Sequence, residues 1–155
     1  MARIHTYDLT VSWTGNTGSG TSGYRDFSRD HMISAVGPQP IRASSDPALA
    51  GDPARWNPEQ LLTAALSQCH MLWYLHLCAV AGVVVTDYLD QPHGEMAEHR
   101  NGGQFTDVVL RPRVRVAAQN MVEKAIMLHE DAHRCCFIAN SVNFPVRCDP
   151  AVTTE

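Results

Sequence analysis

Residues 57–82, NPEQLLTAALSQCHMLWYLHLCAVAG, are the stretch that decides the fold. Asn57 is a favoured helix N-cap, Pro58 suits the first helical position, and Gln60 completes a capping box. Gly82 is a typical residue at the end of a helix. Because apolar residues occur on nearly every side between these ends, the sequence predicts a long helix buried inside the protein. A thiol, Cys69, lies at the middle of this helix.

Length, charge and cysteine content limit the class of protein. The chain has 155 residues, which fits a single domain spanning residues 1–155. Its formal net charge of −4 gives no reason to expect nucleic acid or an anionic membrane as a partner. The central helix contains too many polar residues for a membrane span, and the N-terminus lacks the apolar block of a secretory signal. We therefore expect a cytoplasmic protein whose five cysteines are reduced at rest.

The rest of the chain predicts strands around two helices. Six stretches have the alternation or the β-branched content of strands: residues 7–13, 24–36, 83–89, 94–99, 105–117 and 143–148. We expect the first two to form a hairpin and the next three a meander. Prolines predict an irregular loop over 37–56. Asn120 can cap a second helix that runs to about Cys136. We expect the polar tail after Cys148 to be frayed. The predicted order is β-β-α-β-β-β-α-β, an α+β fold.

One short motif suggests zinc. His129-Glu130-Asp131-Ala132-His133 matches the H-E-x-x-H pattern, in which two histidines on one helical face bind zinc and the glutamate acts as a general base. A catalytic zinc needs a third ligand, and Cys136 and Ala139 occupy the positions where one extended form of the motif has Gly and His. Histidines near a helix C-terminus are also favourable without a metal. A zinc hydrolase using His129, Glu130 and His133 therefore stays an alternative.

Thiols on the two predicted helices suggest a second kind of chemistry. Cys69 lies on the central helix, and Cys135 and Cys136 lie at the end of the other. A buried thiol is usually inert unless a positive charge holds the thiolate. Arg25 and Arg29 on the second predicted strand are candidates for that charge, because a guanidinium bridges a thiolate and a carboxylate.

Glu59 is the natural carboxylate for such a bridge, and its position bears on assembly. It precedes Cys69 by ten residues, which on a helix corresponds to about 15 Å of rise and a rotation of roughly 80°. The two residues of one chain therefore cannot meet around one arginine. If both belong to one site, a partner chain supplies Glu59, and we expect a homodimer with two interfacial sites.

Two segments resemble the OsmC/Ohr family of thiol peroxidases. Residues 57–69, with Asn57-Pro58-Glu59-Gln60 followed by Ser67-Gln68-Cys69, resemble the central-helix motif of that family. Residues 132–141 resemble its second cysteine motif, and the spacing from His133 matches the second cysteine of the family to Cys136 rather than Cys135. The resemblance implies an OsmC-like fold and an intertwined homodimer.

The resemblance also implies a reaction without metal, haem or other cofactor. The Cys69 thiolate would attack a peroxide and become a sulfenic acid, and Cys136 would then form a Cys69–Cys136 disulfide. An external dithiol, of the lipoyl type in the better-known branch of the family, would restore the enzyme. The activating residues of the family correspond to Glu59 and to either Arg25 or Arg29.

Two departures leave the substrate open between organic hydroperoxides and hydrogen peroxide. Phe137 stands where family members commonly have proline, and residues 24–31 do not match the glycine-rich arginine loop of the organic-hydroperoxide branch. A further alternative is a non-catalytic member that binds an apolar ligand in the dimer groove. Trp73, Tyr74, His70 and Phe137 are candidates for the lining of a substrate pocket, but we expect all four to belong to the core, because aromatic residues at helical spacing usually do.

Overall fold

The computed structural model describes residues 2–154. The chain divides into two compact units, one ending at Leu61 and the other beginning at Leu62. None of the helices formed by residues 2–154 is long and apolar enough to cross a membrane. The α+β class predicted from the sequence is confirmed, with two α-helices and three small sheets within these residues.

The first unit contains a three-stranded antiparallel sheet. Its strands are β1 (Thr10–Trp13), β2 (His31–Ser34) and β3 (Ile41–Ala43), with β2 in the middle. The predicted hairpin between the first two strands is confirmed. The third strand was not predicted, because Pro38 and Pro40 precede it. It lies at the edge of the sheet, where few ladder hydrogen bonds are needed.

The second strand is much shorter than the predicted 24–36, and Arg25 and Arg29 lie outside it. Residues 14–30 form a loop that side chains hold to the backbone. The Trp13 indole N–H donates to the carbonyl of Ser28 at 2.9 Å, and the Thr17 hydroxyl donates to the carbonyl of Asp26 at 2.6 Å. These bonds take up backbone groups that a longer strand would use, so the regular strand begins only at His31.

The central helix, α1 (Pro58–Val80), begins and ends as the sequence predicts. The amide side chain of Asn57 accepts from the N–H of Gln60 at 2.8 Å, and the Gln60 side chain accepts from the N–H of Asn57 at 3.2 Å. At the other end, Gly82 has φ +73° and the N–H of Val83 donates to the carbonyl of Cys78 at 2.9 Å. This left-handed glycine closes the helix in the way the sequence indicates.

The second unit contains two three-stranded sheets and the second helix. Its elements, in chain order, are β4 (Val85–Asp90), β5 (His93–His99), β6 (Gly102–Leu110), β7 (Pro112–Val116), α2 (Val122–Cys135), β8 (Val146–Cys148) and β9 (Ala151–Thr153). One sheet has the order β4-β7-β9 and the other β5-β6-β8. The start of α2 differs in detail from the prediction, because Asn120 lies in a short 3-10 turn and its side chain does not cap the helix.

The predicted meander is wrong, although its β5–β6 hairpin forms around Gly102. The predicted strand 105–117 is two strands in different sheets, and β4 pairs with β7 rather than with β5. The break falls at Arg111, whose N–H donates to the Asp90 carboxylate at 2.7 Å, and Pro112 follows without an N–H to donate. The tail is also ordered beyond the prediction, since β9 pairs in parallel with β7.

Helix α1 provides the buried centre of the second unit. Leu66, His70, Tyr74 and Cys78 form a stripe at four-residue spacing that is fully buried within the chain. Tyr74 and Cys78 pack with Val114, Val116 and α2, whereas Leu66 packs with β6. Leu72, on another side of the helix, is 60% exposed. The buried stripe therefore fixes which side chains of α1 face α2.

Candidate active site

The thiols of Cys69 and Cys136 are in hydrogen-bonding contact. Cys69 lies in the middle of α1, and Cys136 is the first residue after α2. Both are free thiols in this structure. Two thiols that act on each other in this way, one within α1 and one directly after α2, favour a role in reversible disulfide formation.

The turn after α2 encloses Cys136. Its side chain is only 2% exposed, and the N–H of Ala139 donates to its sulfur at 3.5 Å. The N–H of Asn140 donates to the Cys136 carbonyl at 3.1 Å, which closes the chain around the residue. Burial raises the pKa of Cys136 to about 11, and the backbone N–H groups of Ala139 and Ile138 oppose this rise. Cys136 is therefore a protonated thiol near neutral pH, with donors already directed at its sulfur.

The remaining cysteines lie in other surroundings. Cys78 is buried in the core beside Tyr74, and burial raises the pKa of its thiol. Cys135, the last residue of α2, is half-buried. Cys148, at the end of β8, lies 3.6 Å from Nε2 of His70. Cys78 therefore contacts Tyr74 and Cys148 contacts His70, so neither of these two thiols belongs to the Cys69–Cys136 pair.

Two aromatic residues adjoin the thiol pair in the sequence and contact each other. The rings of Trp73, one turn after Cys69, and of Phe137, next to Cys136, meet edge to face with centroids 5.4 Å apart. Phe137 is 63% exposed, so it is not a core residue within this chain. Trp73, Leu72 and His76 line a hollow of about 240 Å³. The expectation that Trp73 belongs to the core is thus met only in part.

The candidate activating residues lie in the first unit. The Arg29 guanidinium stacks on the rings of Tyr24 and Phe27, 4.3 and 4.2 Å from their centroids, and donates to the Phe27 carbonyl at 2.8 Å. Arg25 is exposed in the turn before it. Glu59 lies in the first turn of α1, where the helix dipole favours a negative charge. Arg29 is therefore held in place by its neighbours, and Arg25 is open to solvent.

The H-E-x-x-H motif does not assemble a metal site from its own histidines in the described part of the chain. His129 is 3% exposed, and its Nδ1 lies 3.0 Å from Nε2 of His70. The group of possible ligands found among residues 2–154 joins His129 to His70 and Cys148, and it includes neither Glu130 nor His133. Glu130 and His133 instead line a cavity at the surface. Within residues 2–154, the motif on which the zinc hydrolase alternative rests therefore does not gather a set of three ligands.

Sequence reasoning missed this cluster because it assigned His70 to the packed core. Its ring is parallel to that of His129, with centroids 5.3 Å apart, and Tyr74 stacks on His129 at 3.9 Å. Burial lowers the pKa of His70 to about 4 and that of His129 to about 3. The available signal was the four-residue spacing of His70 with Leu66 and Tyr74, which places a polar ring on the buried stripe of α1.

Comparisons with known proteins agree with this fold. A family model described as OsmC-like protein matches residues 51–150. An OsmC-like protein of unknown function from Vibrio cholerae has 30% identity and a TM-score of 0.85, over 96% of this chain and 100% of the other. A search of curated proteins finds no significant match.

More distant structures share the fold alone. An organic hydroperoxide resistance protein from Elizabethkingia anophelis has 18% identity and a TM-score of 0.70 over the whole of both chains. A Legionella pneumophila protein named as an organic hydroperoxide resistance protein OsmC has 17% identity and a TM-score of 0.67, over 98% of this chain and 99% of the other. With the family match covering most of its length, the chain belongs to the OsmC-like family.

Proposed function

We propose that the protein is a cysteine-based peroxidase in which Cys69 reduces the peroxide and Cys136 resolves the product. The contact between the two sulfurs carries this proposal. Membership of a family whose structural relatives include organic hydroperoxide resistance proteins supports a peroxidase role in general.

The reaction has two steps on the protein. The Cys69 thiolate attacks the terminal oxygen of a hydroperoxide, the O–O bond breaks, and Cys69 becomes a sulfenic acid as an alcohol or water leaves. The Cys136 thiolate then attacks the Cys69 sulfur, the S–O bond breaks, and water leaves after protonation. An external dithiol reduces the resulting disulfide by two electrons and is itself oxidised.

The site also needs a group that favours the Cys69 thiolate. We assign this role to Arg29 in preference to Arg25, because stacking on Tyr24 and Phe27 orders its guanidinium. Glu59 from a partner chain would orient that guanidinium in a homodimer. A carboxylate holding a guanidinium by two parallel hydrogen bonds fixes its plane as well as its charge. We expect the reaction to take place in the cytoplasm, where dithiol reductants are available.

The exposed aromatic edge beside the pair favours organic hydroperoxides over hydrogen peroxide. Trp73 and Phe137 present apolar surface that an alkyl or aryl group covers and that hydrogen peroxide does not use. A non-catalytic apolar-ligand protein would use the same surface, but it would not need two sulfurs in contact.

The test is peroxide consumption combined with disulfide mapping. After treatment with cumene hydroperoxide, we expect a Cys69–Cys136 linkage in a non-reducing peptide digest. Cys69→Ser should abolish consumption, whereas Cys136→Ser should leave a Cys69 sulfenic acid that dimedone traps. Cys78→Ser is the matched control, because Cys78 is a free thiol on the same helix with a separate environment.

The proposal fails if the wild-type protein does not consume peroxide with any dithiol tried. It also fails if consumption survives in the Cys69→Ser variant. A disulfide that joins Cys69 to Cys135 instead would overturn the role of Cys136 while leaving that of Cys69.

A further inference from the structure

Three metal-binding side chains converge in the second unit, apart from the thiol pair. They are His70 on α1, His129 on α2 and Cys148 at the end of β8, called here the trio. Their ligand atoms all lie within 4.8 Å of one another. Neither the family match nor the proposed peroxidase reaction gives the trio a role.

The distances within the trio suit a tetrahedral ion. Nε2 of His70 is 3.0 Å from Nδ1 of His129 and 3.6 Å from Sγ of Cys148. Zinc bound at about 2.0 Å to nitrogen and about 2.3 Å to sulfur requires separations of about 3.3 and 3.6 Å between such atoms in a tetrahedron. The third separation, between Nδ1 of His129 and Sγ of Cys148, is at most 4.8 Å, so these two side chains need to approach by no more than about 1.2 Å to reach that geometry.

Hydrogen bonding alone does not satisfy all three atoms. An imidazole nitrogen carries either one proton or one lone pair, so Nε2 of His70 pairs with His129 or with Cys148 but not with both. The other two ring nitrogens, Nδ1 of His70 and Nε2 of His129, have no hydrogen-bond partner among the described residues, and an ion bound by the trio does not change that. A single cation between the three atoms would use both nitrogen lone pairs and the sulfur at once.

The trio is also held rigidly, which lowers the cost of forming a metal site. Each member lies on a regular element, and Leu110 of β6 pairs with Cys148 in the parallel ladder. Tyr74 stacks on the His129 ring at 3.9 Å with an angle of 11° between the planes, so the ring cannot turn freely.

Charges of both signs act on the trio. His133 disfavours a positive charge on His70, and Asp149 acts on Cys148 as a negative group. The Asp90 carboxylate acts electrostatically on both His70 and Cys148. It is held in place by the Ser67 hydroxyl, which donates to it at 2.5 Å, and by the N–H of Arg111 at 2.7 Å. A fixed negative group next to three uncharged or anionic ligands stabilises a divalent ion.

A cavity gives access to the trio. It has a volume of about 670 Å³, and His129 and Cys148 form part of its wall together with Glu130 and His133. A site with three protein ligands keeps a fourth position for water or another small ligand. The cavity provides the room for such a ligand and the path by which an ion enters.

We propose that His70, His129 and Cys148 bind one zinc ion, with the fourth coordination position directed towards this cavity. The donor set of two imidazoles and one thiolate is of the type that zinc prefers. The site differs from the H-E-x-x-H reading of the sequence, because it uses only the first histidine of that motif. It is independent of the Cys69–Cys136 chemistry.

The test measures metal binding by the full-length protein, stripped with a chelator and kept reduced with a phosphine. Equilibrium dialysis against zinc chloride should give one zinc per chain by elemental analysis. Cobalt(II) in place of zinc should give the intense visible bands of a tetrahedral site and a sulfur-to-cobalt charge-transfer band. Cys148→Ser should remove the charge-transfer band and weaken zinc binding at least tenfold.

Control variants separate the trio from other thiols and histidines. The double variant Cys69→Ser/Cys136→Ser should keep one zinc and the charge-transfer band, as should His76→Gln on the exposed side of α1. His70→Gln and His129→Gln should each lose zinc. Because these two replace buried rings, circular dichroism must show that they fold, and Cys148→Ser, at a half-buried position, decides the question if they do not.

Three results would overturn the proposal. One is less than a tenth of a zinc per chain in the wild-type protein. Another is loss of zinc in the Cys69→Ser/Cys136→Ser variant with retention in Cys148→Ser, which would place the ion at the thiol pair. The third is loss of zinc in His133→Gln with retention in Cys148→Ser, which would restore the H-E-x-x-H reading.

Discussion

Cys136 illustrates how surroundings set the reactivity of a single residue. Its thiol is buried against α1, yet backbone N–H groups of the following turn point at its sulfur. The first feature disfavours the thiolate and the second favours it. Burial has the larger effect on the pKa of Cys136. The resolving step therefore requires the ionisation of a thiol that is protonated at neutral pH.

The first prediction concerns the pH dependence of disulfide formation. The pKa of Cys136 is raised to about 11, so its thiolate fraction increases throughout the neutral and mildly alkaline range. Because the thiolate is the nucleophile, closure of the Cys69–Cys136 disulfide after a peroxide pulse should accelerate about tenfold per pH unit between about pH 7 and 9. Acid quenching at timed intervals followed by peptide mapping measures the rate. A rate that stays flat above pH 7 would contradict the assigned burial of the thiol.

The second prediction concerns substrate choice at the aromatic edge. Phe137→Ala removes exposed apolar surface next to Cys136, so KM for cumene hydroperoxide should rise about tenfold, corresponding to about 1.4 kcal/mol of lost binding. KM for hydrogen peroxide should stay unchanged, because this substrate has no apolar part. The control is Met127→Ala, an exposed residue of α2 that lines the other cavity. An equal rise for both peroxides would mean that Phe137 supports the site and does not select the substrate.

At the scale of the element, α1 shows what local chemistry alone specifies. Its N-cap, its first-turn proline and its C-terminal glycine each act within a few residues of the chain, and all three were predicted from the sequence. Strand pairing was predicted less well. Strand β3 was missed, and the stretch 105–117 belongs to two sheets because Asp90 binds the backbone at Arg111. That contact joins residues 21 positions apart in the sequence, so no pattern of neighbouring residues predicts it.

The third prediction tests the N-terminal cap of α1. Asn57→Ala removes the acceptor for the N–H of Gln60 and should lower the free energy of unfolding by about 1 kcal/mol. Asn57→Asp is the matched control and should cost much less, because aspartate caps equally well. Urea unfolding followed by circular dichroism measures both. Equal losses for alanine and aspartate would show that the amide, rather than the cap, is what the position requires.

At the scale of the whole molecule, the first unit exposes apolar surface that a single chain does not cover. The apolar residues along and before β1 are well exposed: Tyr7 at 84%, Leu9 at 60%, Val11 at 61% and Trp13 at 44%. Contiguous exposed apolar surface is typical of sites that another protein covers, and we propose that a second copy of the chain covers this run. It agrees with the homodimer that the spacing of Glu59 and Cys69 requires if both serve one site.

The fourth prediction is therefore that the protein sediments as a dimer, at twice the chain mass of 17.1 kDa. Val11→Asp places a charge on the exposed apolar run and should shift the protein towards the monomer. Thr10→Asp, a polar neighbour on the same strand, is the control and should not. Peroxide consumption should fall with dimer content, because in the proposed site a partner chain supplies Glu59. A wild-type monomer that is fully active would rule out the shared site.

The sequence by itself determined the limits of the central helix, the α+β class and, through two short motifs, the family. These features depend on interactions between residues close together in the chain, or on short sequence motifs that are recognised without a structure. The tertiary structure alone decided which strands pair, where Arg29 stacks, and that His70 meets His129 and Cys148 rather than lying among apolar side chains. The reason is physical: the contacts of His70 join residues 59 and 78 positions apart, and the packing of α1 against its neighbours selects them. Arg29 meets Tyr24 and Phe27, only five and two positions away, because this segment is a loop and not the predicted strand.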